Sequence, residues 1–243
     1  MTGLYSKTLA QIVNENHKTA YVFEKYHLDF CCKGKRLLQQ ACEEVRLPVE
    51  QVIAELENIG SVGGATVDFD KMRLWQLADY IVLTHHDFVK KEMPLIYGYL
   101  QKIAAKHGER HPEMLQVLNA FEELKADMTD HMEKEEVILF PRIKLIEQYS
   151  NENSSAQINR SYIESPIALM EQEHENAGDI LAQIRELTND YTLPADACTT
   201  YRLSFAALQA FEIDLHQHIH LENNILFPKT VKLFNTLNEI FLN

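Results

Sequence analysis

Two stretches of this chain are near copies of one another. The first is "DHMEKEEVILFPR" at 130–142 and the second is "QHIHLENNILFPK" at 217–229. At a constant offset of 87 residues the copies align His131 with His218, Glu135 with Glu222, and one "LFP" with the other. On an α-helix, residues four apart lie about 40° apart in azimuth and about 6 Å apart along the axis. Each stretch therefore predicts a helix that points one His and one Glu the same way.

Two further histidines extend the repeat. His86 in "LTHHDFVKK" and His174 in "EQEHENAG" are 88 residues apart, almost the same offset. Each half of the chain then supplies one helix with a single His and one helix with His-xxx-Glu. His85 lies about 100° from His86 around the helix, so only one of them should face the site. The offset favours His86 and leaves His85 as the alternative. His216 and His220 should point away from His218.

The rest of the chain predicts an all-α fold. Hydrophobic residues make up 46% of the sequence, with only 8 Gly and 7 Pro among 243 residues, a composition that favours long helices over a turn-rich β architecture. Apolar periodicity places four long helices near 70–106, 112–148, 161–188 and 195–235. Pro94 should kink or interrupt the first of them. Four helices with a longer polar connection at 149–160 make an antiparallel up-down bundle.

Residues 1–59 form a separate, smaller unit. Segments such as "KTLAQIVNENHKTAYVFEKYHLDF" and "LPVEQVIAELENI" carry apolar residues at helical spacing. The stretch 60–69 then holds three of the eight glycines and little that could pack. The sequence predicts a small N-terminal helical domain at 1–59, a linker at 60–69 and a four-helix bundle at 70–243.

Composition also limits the partners. The formal net charge of −13 repels phosphate backbones, so nucleic-acid binding is not expected. There is no run long enough to span a membrane and no signal-peptide core, which makes a cytoplasmic protein the simplest expectation. The four cysteines do not make a disulfide framework, because two of them, Cys31 and Cys32, are adjacent. We expect reduced thiols, with Cys42 and Cys198 buried in the core.

Four His and two Glu meeting inside a bundle predict a dinuclear metal site. Imidazole suits iron, zinc or copper, and a carboxylate can bridge and neutralise two cations in an apolar interior. Two bridging Glu and two His on each metal would leave open positions for an oxide bridge, O₂ or NO. Iron is favoured, since carboxylate and imidazole ligands within four helices are a recurrent di-iron design. The alternative is a surface i,i+4 pair duplicated with its packing, but burial of six unpaired polar groups would be costly.

These segments resemble a known family. "HHDF", "HMEKEEVILFP", "EQEHENAG" and "HIHLENNILFP" resemble the ligand segments of hemerythrin-like domains, and "YHLDFCCKGKRLLQQAC" resembles the short Cys-Cys domain that precedes such a domain in the iron–sulfur cluster repair di-iron proteins. The resemblance covers nearly the whole chain. Oxygen-carrying hemerythrins have five His, whereas four match here. Lys33 and Gly34 also stand where the family usually has Gly-Gly, residues that permit unusual backbone angles.

The resemblance implies repair of iron–sulfur clusters damaged by nitric oxide or oxidants, with two iron ions and damaged iron–sulfur proteins as partners. The ligands it implies are His86, His131, Glu135, His174, His218 and Glu222. Two alternatives stay open: reduction of nitric oxide or peroxide at the di-iron centre, and a sensing module for O₂ or NO. Enzymatic turnover and a homodimer through the N-terminal domain also stay open.

The cysteine pair has two interpretations. In the functional one, Cys31 and Cys32 are reactive thiols that receive iron, nitrosyl or a disulfide from a client protein. The basic residues of the following "KGKR" would then lower the thiol pKa. In the structural one, they are two small core residues at the start of a helix.

Overall fold

The computed structural model describes residues 3–60, 67–151 and 160–240. Most of the predicted linker at 60–69, and residues 152–159 of the predicted connection at 149–160, lie outside these ranges. Across the described ranges the regular structure is helical and no β-strand forms. The only β-type pairing within them is an isolated antiparallel bridge between Thr8 and Leu37. The all-α prediction is confirmed.

Four short helices form the N-terminal part: α1 (Leu9–Glu15), α2 (Ala20–Lys25), α3 (Leu38–Glu44) and α4 (Val49–Gly60). A capping box starts α1. The Thr8 hydroxyl accepts from the Gln11 backbone at 3.2 Å, and the Gln11 side chain accepts from the Thr8 backbone at 2.9 Å. These two bonds satisfy N–H groups that a helix start leaves without partners. Such a cap helps a seven-residue helix that could not persist alone.

Four bundle helices follow, and three of them consist of two α-helical parts joined by a π-helical turn. The first comprises α5 (Leu74–Ile81), the turn Val82–His86 and α6 (Asp87–His107), and the second comprises α7 (Glu113–Lys134), the turn Glu135–Leu139 and α8 (Phe140–Asn151). The third is α9 (Glu164–Leu187), and the fourth comprises α10 (Thr199–Leu221), the turn Glu222–Leu226 and α11 (Phe227–Ile240). Pro94 lies inside the unbroken α6, so the expected interruption there does not occur.

Each of the two repeated "LFP" exits lies at the end of a π-turn. In the second bundle helix, the N–H of Phe140 donates to the carbonyl of Glu135, five residues back. The fourth bundle helix has the same bond between Phe227 and Glu222. The wider turn takes up one extra residue. Both Glu residues are buried, and so are the Leu and Phe of each exit, whereas Val137 and Ile138 stay exposed. Single π-turns inside α-helices are rare overall, but those that occur are often found at functional sites.

Two hydrophobic clusters stabilise the fold. The larger contains side chains from the N-terminal helices, such as Phe23, together with bundle residues such as Leu181 and Leu215. The smaller lies around α5, α8 and α11 and includes Phe140 and Phe227. The N-terminal helices thus pack directly on the bundle.

Within the described ranges, every helix is either too short or too polar to span a membrane.

Candidate metal centre

Six buried polar side chains meet between the two hydrophobic clusters. The first bundle helix contributes one of these side chains, from the end of its π-turn, and the third contributes one from the middle of α9. The second and fourth bundle helices contribute two side chains each. They are His86, His131, Glu135, His174, His218 and Glu222, and each is 0–1% exposed. The structure therefore brings together all six residues that the sequence predicts.

The Nε2 atoms of the four histidines converge on the two carboxylates. The distance from Nε2 to the nearest carboxylate oxygen is 3.3 Å for His86 and for His131, both to Glu135. It is 3.1 Å for His174 and 3.2 Å for His218, both to Glu222. Two groups of four ligand atoms result, and both contain Glu135 and Glu222. One group adds His86 and His218, and the other adds His131 and His174.

The carboxylates lack hydrogen bonds despite these short distances. Both oxygens of Glu135 and both of Glu222 are buried without a hydrogen-bond partner in the described structure. The imidazole nitrogens lie close enough, but they are not directed along a hydrogen bond to the oxygens. Burying two ionised carboxylates in this way is very unfavourable unless a cation compensates them. The Nε2 atoms also meet in pairs, His86 with His218 at 3.2 Å and His131 with His174 at 3.1 Å. Nitrogen and oxygen donors crowded in this way fit a bound metal ion.

Comparison with known proteins agrees with this geometry. Residues 77–230, more than half of the chain, match the hemerythrin HHE cation binding domain. This chain belongs to that family. Residues 5–59 match ScdA_N, described as a domain of unknown function.

Proteins similar to this hemerythrin-family chain over most of its length have been named as repair proteins. A probable iron–sulfur cluster repair protein of Haemophilus influenzae is 32% identical over 86% of this chain and 90% of its own length. The iron–sulfur cluster repair protein YtfE of an Enterobacter species is 31% identical, covering 92% and 96%. ScdA of Staphylococcus haemolyticus, another iron–sulfur cluster repair protein, is 28% identical, covering 91% and 96%. The resemblance drawn from the motifs is confirmed.

Outer hydrogen bonds hold three of the four imidazoles of the hemerythrin-family site. The Nδ1 atom of His86 lies 2.7 Å from Glu136, that of His131 lies 2.9 Å from Glu173, and that of His174 lies 2.8 Å from Asn223. Such partners fix the ring orientation and raise the basicity of the ligating nitrogen. Sequence reasoning missed them. One signal was present, because each partner directly follows or precedes a predicted ligand and Glu136 and Asn223 are themselves 87 residues apart.

His85, the alternative ligand, does not join the group. It is buried, its Nδ1 lies 3.0 Å from the Asp214 carboxylate, and its ring stacks on that of His218 with centroids 5.7 Å apart. The structure thus places His86, not His85, with the other five residues. His216 and His220 point away from the group, as expected, and instead contact Glu24 at 2.8 Å and Asn14 at 2.9 Å in the N-terminal part.

The site is strongly polarised. Burial opposes the charged ring of His131, but Glu135 and Glu173 raise its pKa to about 10. Burial opposes ionisation of Glu222, yet His218 and His174 lower the pKa of its carboxyl well below the usual range. Burial lowers the pKa of His218. The ionised carboxylates are thus paired with imidazoles, and a metal ion bound at Nε2 of His131 would take the place of its proton.

The cysteine pair lies beside this site, in the segment between α2 and α3. Cys31 is buried and Cys32 is partly exposed, with their sulfurs 3.8 Å apart. The Cys32 sulfur is 3.6 Å from the backbone carbonyl of His174. Both cysteines line a cavity of about 370 Å³ between the N-terminal part and α9.

An acidic neighbour determines the electrostatics of this pair. One Asp29 oxygen accepts from the backbone N–H groups of Cys31, Cys32 and Lys33 at 2.9–3.2 Å and lies 3.4 Å from the Cys31 sulfur. The hydrogen bond with Cys32, burial and Asp29 together raise the pKa of the Cys31 thiol well above its ordinary value. The expectation that basic neighbours lower the thiol pKa is therefore wrong for Cys31.

The other two cysteines differ from one another. Cys42 is fully buried, as expected. Cys198 is only partly buried, at the N-cap position that precedes α10. Hydrogen bonds from the backbone N–H groups of Tyr201 and Thr200 lower the pKa of its thiol.

Proposed function

We propose that this hemerythrin-family protein repairs damaged iron–sulfur clusters with iron held by a di-iron centre of four His and two Glu. The observation that carries the proposal is the pair of ligand groups that share Glu135 and Glu222, all of whose oxygens lack hydrogen-bond partners in the described structure. The names of similar proteins, which span nearly all of this chain, support cluster repair.

The donor set favours iron over the softer metals. Nitrogen and oxygen ligands suit iron, and the six residues include no thiolate that would favour copper(I) or a structural zinc ion. Iron ions bound here would supply an exchangeable store of the metal that damaged clusters lack. Glu135 and Glu222 would each serve both positions, and the four histidines would serve one position each.

The protein residues hold and shield this store. Glu136 and Glu173 orient their histidines and are themselves paired with Lys90 at 2.6 Å and Lys134 at 2.5 Å. The ligands are buried, so water has no direct access to them. Because no ligand lies at the surface, iron can leave only through a passage between helices or by local opening of the structure.

We propose that Cys31 and Cys32 receive iron from the centre. With Asp29 they form a third group of potential ligand atoms within 4.8 Å of one another. The cavity beside them opens toward solvent, while Cys32 touches the backbone of His174. Two thiols and a carboxylate could hold a ferrous ion after releasing two protons to solvent. We propose this as their role in repair.

The decisive experiment measures repair directly. The iron-loaded protein is added, without free iron, to a hydratase whose iron–sulfur cluster has been inactivated by nitric oxide, and hydratase activity is followed. We expect recovery with the parent protein and none with Glu135→Ala or Glu222→Ala. Glu133→Ala is the matched control, because Glu133 is exposed on the same helix as Glu135.

Two outcomes would contradict the proposal. Full recovery with Glu222→Ala would show that the shared carboxylate is not needed. No recovery with the parent protein, at full iron content, would show that the centre is not a store for repair. The diferrous protein would then be mixed with nitric oxide and the product tested for nitrous oxide, which would identify a reductase.

A further inference from the structure

The two halves of the centre differ by one hydrogen bond. Three ligand imidazoles have an acceptor within 2.9 Å of Nδ1, as described above. The Nδ1 atom of His218 is equally buried, but no group in the described part of the chain pairs with it. The His131–His174 position is thus supported at both rings, and the His86–His218 position at His86 alone.

The difference originates at one place in the internal repeat. Glu173 precedes His174, and His85 precedes His86 at the same offset of 88 residues. Glu173 reaches across the bundle to accept from His131. His85 reaches across to His218 in the same way, but stacks its ring face on it at an interplanar angle of 12° and turns Nδ1 to Asp214. A residue that could have been an acceptor is therefore committed elsewhere.

Outer acceptors of this kind have a measurable effect on metal binding. They fix the imidazole tautomer and raise its basicity, and their removal typically costs about 10–100-fold in metal affinity. We infer that the two metal positions are unequal and that the position between His86 and His218 gives up its ion first. The inference rests on the proposed di-iron centre and names which of its two ions is the mobile one. His85 and Glu173 are then the positioning residues that set the difference.

The test follows iron release without any client protein. The reduced, iron-loaded full chain is mixed with excess ferrous chelator, and chelated iron is recorded against time while native mass spectrometry counts the ions retained. We expect two phases of one ion each, separated by about tenfold or more in rate. A species with one ion should accumulate between them.

Two substitutions should move the phases in opposite directions. In His85→Gln the amide oxygen can accept from His218 Nδ1 while the amide N–H donates to Asp214, so the fast phase should slow by about tenfold. In Glu173→Leu the acceptor for His131 is lost, so the slow phase should quicken. Glu173→Gln keeps an acceptor and should restore slow release. His111→Gln is the matched control, because it is also a His-to-Gln substitution but lies far from the centre. It should change neither phase of iron release.

Several outcomes would overturn the inference. Release of both ions from the parent at one rate would show that the positions are equal. A fast phase unmoved in a fully loaded His85→Gln variant would show that the missing acceptor is not the cause. If His85→Gln does not bind two iron ions, Glu173→Leu provides the test. A slow phase of iron release unchanged in Glu173→Leu would also contradict the inference. A protein that repairs no cluster yet releases iron in two phases would refute the proposed function and leave this inference standing.

Discussion

Asn223 joins His174 to Cys31. Its side-chain oxygen accepts from His174 Nδ1 at 2.8 Å, and its amide nitrogen lies 3.5 Å from the backbone carbonyl of Cys31. Asn223 also directly follows Glu222 at the start of a π-turn. One side chain therefore contacts both a candidate metal ligand and the cysteine segment.

This link predicts a paired effect. Asn223→Ala should lower iron affinity by about tenfold, because His174 loses its outer acceptor, and should also raise the rate at which Cys31 and Cys32 are alkylated. Asn224→Ala is the matched control. Asn224 donates to the same Cys31 carbonyl at 2.9 Å but does not touch His174, so only alkylation should change. Iron affinity reduced equally in both variants would contradict the link.

Gly34 should tolerate no side chain. A Cβ atom there would lie 2.3 Å from the carbonyl oxygen of Phe30 and 3.1 Å from the side chain of Asn224. The reason is close packing, because none of the described glycines has a positive φ angle. We expect Gly34→Ala to lower the free energy of unfolding by about 1–3 kcal/mol, measured by urea denaturation.

Gly98 supplies the control for that experiment. It lies inside α6, and a Cβ atom there would meet nothing within 4 Å. Gly98→Ala should therefore raise the free energy of unfolding by about 0.5–1 kcal/mol through helix propensity. If both substitutions had the same sign, the close approach at Gly34 would not be the cause.

The cysteines should react in a defined order. The pKa of Cys31 is raised by its hydrogen bond with Cys32, by burial and by Asp29, whereas backbone N–H groups lower that of Cys198. Since the thiolate is the nucleophile, iodoacetamide near neutral pH should modify Cys198 well before Cys31. Peptide mass spectrometry would measure both rates. Faster labelling of Cys31 than of Cys198 would contradict the raised pKa of the Cys31 thiol.

His111 should titrate above its ordinary range. Its ring nitrogens lie 2.9 Å from Asp196 and 3.1 Å from Glu113, and the hydrogen bond to Asp196 is the main cause that raises its pKa. The stability that it contributes is therefore fully present below pH about 6.5 and is lost as pH rises through the higher folded-state pKa. NMR titration of the ring should show the raised pKa, and Asp196→Asn should lower it. An unchanged value in Asp196→Asn would contradict this assignment.

The candidate ligand set was predictable because it is a local pattern repeated along the chain. His131 and Glu135 share a face by helix geometry alone, and the 87-residue repeat reproduces that face at His218 and Glu222. The outer partners were not predictable from spacing. His86 and Glu136 are 50 residues apart, His131 and Glu173 are 42 apart, and His174 and Asn223 are 49 apart. Which helix lies beside which decides these pairs.

His85 likewise has one feature that the sequence predicts and others that depend on the fold. Its offset from Glu173 could be read from the sequence, but its stacking on His218 and its bond to Asp214 required the packed bundle. The cysteine pair depended on packing in another respect, because the Cys32 sulfur lies 3.6 Å from the backbone carbonyl of His174, 142 residues away.

The sequence by itself determined the helices, the six candidate ligands and the likeness to a family, since helical periodicity and an internal repeat are properties of a single segment and its copy. The tertiary structure decided which imidazole lacks an acceptor and how Cys32 comes to lie against His174. Those features depend on contacts between distant segments, and short directional hydrogen bonds form only when packing brings both partners to within about 3 Å.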